Sequence, residues 1–127
     1  MNSHPVMALE QSALARWCNR DPDGFLAISA RDVVYFDPFI PDRLDGLDQL
    51  KAHYDKLRGK IFSPQYEMIR PHVQETGNAA VLTFQFISYN ESGSAEQRWN
   101  CTEVYRKEGD NWSIIQTHWS FTAAAGN

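Results

Sequence analysis

Cysteine is scarce: Cys18 and Cys101 are the two in 127 residues, too few and too far apart for a disulfide framework, and no Cys-x-x-Cys occurs. Each stands among aromatic or apolar neighbours, which predicts two buried thiols. The four histidines, His4, His53, His72 and His118, have no spacing that sets two ligands on one helix turn, so no metal site and no cofactor are expected. Positive charge is also short. Twelve Lys plus Arg against sixteen Asp plus Glu leave a formal net charge of -4, and the basic residues are scattered rather than striped, which argues against a nucleic-acid partner. No run is long and apolar enough to cross a bilayer, and the start "MNSHPVMALEQSALARW" lacks the charged and apolar regions of a secretory signal. The expectation is a cytoplasmic protein with no membrane partner.

What is present fits one globular domain over residues 1–127. Apolar residues make up 43% and charged residues 22%, inside the range of chains that bury a core. Val6, Leu9, Ala13, Leu14, Trp17 and Cys18 recur at three and four, predicting a helix from Val6 to Arg20. Asp21 as N-cap and Pro22 as first residue predict a short second helix containing Phe25, Leu26 and Ile28. A strand is expected from about Asp32 to Asp37, stopped by Pro38. Asp45 then caps a third helix with the stripe Leu47, Leu50, Tyr54 and Leu57, and Gly59 ends it.

The second half changes period. "FSPQYEMIRPHVQE", "AAVLTFQFISYN", "EQRWNCTEVYRKE" and "NWSIIQTHWSFT", separated by "TGN", "ESGSA" and "GDN", predict four strands joined as hairpins. Helices first and an antiparallel meander afterwards define an α+β domain with helices on one face of a curved sheet. The tail "AAAGN" is expected to fray. Alternation divides the second of these strands into Val81, Thr83, Gln85, Ile87 and Tyr89 against Leu82, Phe84, Phe86 and Ser88, and both sets are largely apolar. The set with Gln85 and Ile87 is assigned to the interior. Phe84 and Phe86, with Val104 and Ile114, are then assigned to a face covered by a second subunit, which predicts a homodimer or a larger ring.

In the next strand Trp99, Cys101, Glu103 and Tyr105 share the inward face. Asp37, on the face of Val33 and Tyr35, and Glu103 are therefore the acids expected to line an apolar concavity, where burial raises carboxyl pKa values. An ionised acid that abstracts a proton, beside a neutral one that donates to a developing oxyanion, is a pairing that proton-transfer chemistry uses. Asp37 also fits a plain turn-former at Asp-Pro, and Glu103 fits a structural ion pair with a nearby base. Trp17, Tyr35, Tyr54, Ile87, Trp99 and Trp119 are candidate ligand-binding residues, as are Gln85 and Cys101, and an aromatic core explains the rings equally.

With these residues set out, the whole chain resembles the nuclear transport factor 2-like superfamily: cone-shaped α+β domains of three helices packed on a strongly curved, mostly antiparallel sheet. "DVVYFDPF", "LDGLDQLKAHY", "EVYR" and "THWS" are similar to the ketosteroid isomerase branch and its SnoaL-like relatives. That resemblance implies a cofactor-free isomerase, cyclase or dehydratase acting on a hydrophobic small molecule. It implies Asp37 as base, Glu103 as oxyanion donor, Trp17 at the position of an oxyanion tyrosine, and Trp119 in the pocket wall. The stretch from "YNESGSAEQRW" to "THWS" is also similar to the association domain of calcium/calmodulin-dependent protein kinase II, which implies a non-catalytic oligomerisation module instead.

Overall fold

A computed structural model describes residues 4–123. Helix α1 runs Pro5–Trp17, with Pro5 at its first position and the His4 side chain accepting from the Val6 N–H in place of a backbone carbonyl. Its buried stripe is Val6, Met7, Glu10, Ala13 and Leu14. Helix α2, Asp23–Ala27, follows at once, and Asp21 Oδ1 accepts from the Asp23 N–H to hold the turn between them. Gly24 lets the two helices touch, because a Cβ there would lie 3.2 Å from the Ala13 Cα.

Strand β1, Ser29–Phe36, begins three residues earlier than expected and ends one earlier. A two-residue strand, β2 (Leu44–Asp45), pairs back on it before α3, Leu47–Asp55. Asp45 therefore belongs to β2 and pairs with Arg43 instead of capping α3. Gly46 takes the cap at φ 91°, a left-handed conformation that disfavours a side chain. The stripe of α3 buries Leu50 and Tyr54 as expected. Strands β3 (Gln65–Thr76), β4 (Ala79–Tyr89), β5 (Ala95–Glu108) and β6 (Asn111–Phe121) form the meander the turn residues announce. The sheet order is β2-β1-β6-β5-β4-β3, antiparallel throughout except where β1 runs parallel to β6. The fold is α+β, three helices against a six-stranded curved sheet. Fraying of the tail concerns residues outside those described, apart from Ala123.

Pairing corrects the face assignment of β4. Phe86 lies opposite Trp99, Phe84 opposite Cys101 and Leu82 opposite Glu103, so the Leu82 set faces inward. Leu82, Phe84 and Phe86 are at most 5% exposed within this one chain, so their burial needs no partner subunit. Gln85 and Ile87 are on the outer face, where Gln85 donates to Asn100 and Asn100 to Ser120 across three strands. Both faces of β4 read apolar, and only the register against β5 decides which one turns in. A bulge does the same in β6. Tyr105 pairs with Ile114 but Val104 pairs with Gln116, so the inward set is Ile114, Thr117 and Trp119, mixing the two parities. Of the four residues assigned to an interface, Val104 alone lies on the outer face.

Candidate functional site

The concave side of the sheet and the three helices enclose a cavity of about 340 Å³. Trp17, Cys18 and Phe25 close it from the first helices, Tyr54 and Leu57 from α3 and its exit. Phe86, Trp99 and Trp119 close it from the sheet, and the segment Lys60–Ser63 forms part of its rim. Its rings brace one another: Trp17 meets Tyr54 in a tilted pair at 5.0 Å between centroids, and Trp119 meets Phe86 and Trp99 edge to face at 5.8 Å each. At the mouth Phe39, 71% exposed, stands against Trp99 and Phe121.

Asp37 enters this apolar space from the end of β1. Its side chain is 6% exposed. Oδ2 accepts from the Tyr35 hydroxyl at 2.8 Å and lies 3.0 Å from His53 Nε2, while Oδ1 accepts from the Phe39 N–H at 2.7 Å. One oxygen of Asp37 fixes the turn across Pro38, as a turn-former would, and the other stands with a phenol and an imidazole beside the cavity. Tyr35 and Tyr54, both raised well above the usual phenol range by burial, stay protonated donors. Burial also pushes the Cys18 thiol up to about 11.

Trp17, Tyr35, Asp37, Tyr54, Trp99 and Trp119 are thus brought together on one cavity. Gln85 and Ile87 are not, for the reason of register given above. Cys101 and Glu103 do face inward but are not on the cavity lining; they lie deeper, under α1. Glu103 is fully buried beside Glu10, and Tyr105 donates to Glu10 Oε1 at 2.5 Å. Burial, then the neighbouring Glu10, raise Glu103 well above the carboxylate range, while burial pushes Glu10 up to about 7. Burial thus favours the protonated form of Glu103, and the cavity lining does not include it.

His53, Glu10 and Phe39 were not singled out from the sequence. The signal existed for two of them. His53 falls on the stripe Leu50, Tyr54, Leu57 at the i+3 position, and Glu10 falls on Val6, Ala13, Leu14 at i+4, so each polar side chain had to point inward.

The geometry agrees with what known proteins show. A ketosteroid isomerase candidate from Parabacteroides distasonis is 40% identical, covers 95% of this chain and 88% of its own, and superposes with a TM-score of 0.82. A nuclear transport factor 2-like protein from Pseudomonas putida is 23% identical, with 94% and 86% covered and a TM-score of 0.81. The CaMKII hub of S. rosetta is 20% identical, with 96% and 100% covered and a TM-score of 0.71; at this identity the last two share the fold. No curated protein matches. The model of the SnoaL-like domain matches residues 6–124, nearly the whole described chain, and with the relative from P. distasonis it shows that this protein belongs to the SnoaL-like domain family.

Proposed function

We propose that the cavity binds an apolar, ring-bearing small molecule and that Asp37 moves a proton at a carbon next to a carbonyl, without a cofactor. The observation that carries this reading is a 6% exposed carboxylate set into an aromatic wall. Lys60 and Glu96 are the other charged groups of the lining, and both are exposed at its edge. A base in such a site is shielded from water and held in one orientation by Tyr35 and His53. Its proton comes from the substrate carbon, and the electron pair moves to the carbonyl oxygen. The donors that the wall can offer to that oxygen are the Tyr54 hydroxyl and the Trp17 indole N–H. The name of the P. distasonis relative points the same way.

The test is hydrogen–deuterium exchange of 2-tetralone, an aromatic ketone with acidic α-protons, followed by proton NMR in deuterated buffer. The wild type is expected to accelerate exchange and Asp37→Asn to return it to the buffer rate. Equal rates for the two proteins would remove Asp37 from the chemistry.

We also infer self-association through the outer sheet face, as the hub name of one neighbour suggests. Phe36 is 41% exposed there, tilted against His118 at 5.0 Å beside half-buried Val34 and Val104. Native mass spectrometry is expected to show a dimer that Phe36→Asp dissociates. A wild-type monomer would discard this reading and leave the cavity reading intact.

A further inference from the structure

Among the described residues, the most deeply buried charged groups are not in the cavity. Glu10 on α1 and Cys101 and Glu103 on β5 are each at most 2% exposed, and one ligand atom from each lies within 4.8 Å of the other two. With both carboxyls ionised, Oε2 of Glu10 and both oxygens of Glu103 have no donor among the described residues, and the two carboxyls lie within hydrogen-bond reach of each other. The Thr117 hydroxyl stands beside Glu103. Carboxylate oxygens aimed at one another in a dry core are costly unless a shared proton or a metal ion joins them. Two carboxylates converge there with a thiol, a soft donor of no use to a pair that merely shares protons.

We propose that Glu10, Cys101 and Glu103 bind one divalent cation of the zinc type between α1 and β5. The two carboxylates balance the ion's charge, and the sulfur selects zinc over magnesium or calcium, which prefer oxygen alone. Ligands of a tetrahedral zinc stand about 2.0–2.3 Å from the metal and so about 3.5 Å apart, which the 4.8 Å group reaches by small side-chain movements. Tyr105 supplies the outer support, donating its hydroxyl to Glu10 Oε1 and holding that carboxylate in place. Binding releases to solvent the protons that the carboxyls and thiol otherwise hold. Because the site is sealed, the ion enters as the chain folds, and metal uptake and the docking of α1 on the sheet are one event.

The experiment is refolding of the full chain from urea with zinc chloride or with a chelator, followed by desalting and elemental analysis. One zinc per chain is expected for the wild type. At least a tenfold loss is expected for Glu10→Gln and for Cys101→Ser, both of which keep side-chain size. Refolding with cobalt chloride is expected to produce thiolate-to-cobalt absorption in the near ultraviolet that is lost in Cys101→Ser. Wild-type protein that refolds equally well in chelator and carries no metal overturns the proposal and leaves the acids as a proton-holding pair. One zinc retained alike by the wild type and both variants also overturns it, since the ion would then lie elsewhere.

Discussion

The Tyr35 hydroxyl donates to Oδ2 of Asp37 across 2.8 Å, within one strand end and on one face of the sheet. Residues two apart on a strand point the same way, so the pairing is a local consequence of "YFD" that His53 then completes from α3. Tyr35→Phe removes one donor to a largely buried carboxylate. A loss of about 1–3 kcal/mol is expected in urea denaturation, together with slower tetralone exchange. An unchanged stability would show that His53 and the Phe39 N–H suffice to hold Asp37.

Phe84 separates the corrected face assignment from the original one. It is 4% exposed inside one chain, against Trp119 at 5.8 Å. Phe84→Ala is therefore expected to lower the stability of each chain by about 3–5 kcal/mol with no change in subunit count. Dissociation without destabilisation, seen by native mass spectrometry and urea melts, would restore Phe84 to an interface.

The buried acids give the fold an uncommon dependence on pH. Burial raises Glu10 from 4.5 to about 7, so the folded chain binds that proton more tightly than the unfolded chain does. In chelator, stability is expected to be fully present below pH 4.5 and to be lost as pH rises through 7, by on the order of 3 kcal/mol. Glu103, also raised, adds to the fall. Glu10→Gln removes its share of the slope. A wild type more stable at pH 8 than at pH 5 in chelator would contradict this.

Thiol chemistry offers a separate check. Burial holds Cys18 as a thiol up to about pH 11 and raises Cys101 well above the usual thiol range. Iodoacetamide at pH 8 is expected to label neither residue in the folded protein and both in urea, as read by intact mass. Rapid labelling of Cys18 in the folded state would mean that the cavity opens to solvent.

Much of this molecule is written in local pattern. The meander of four strands, the three helices and the α+β class follow from periods of two and 3.6 with turn residues between them, as does the common face of Tyr35 and Asp37. Those signals act over a few residues, and the chain carries them wherever it is read. What required the tertiary structure are relations between distant segments. Whether Phe86 or Ile87 faces inward depends on a register with β5, and the bulge at Ile114 depends on the same strand. His53 reaches Asp37 because α3 lies over β1, and Glu10 meets Glu103 and Cys101 because α1 lies over β5, 91 to 93 residues along the chain. Counting ligand spacings could not find that last group, since proximity across so long a loop is created by packing the core and has no period to betray it.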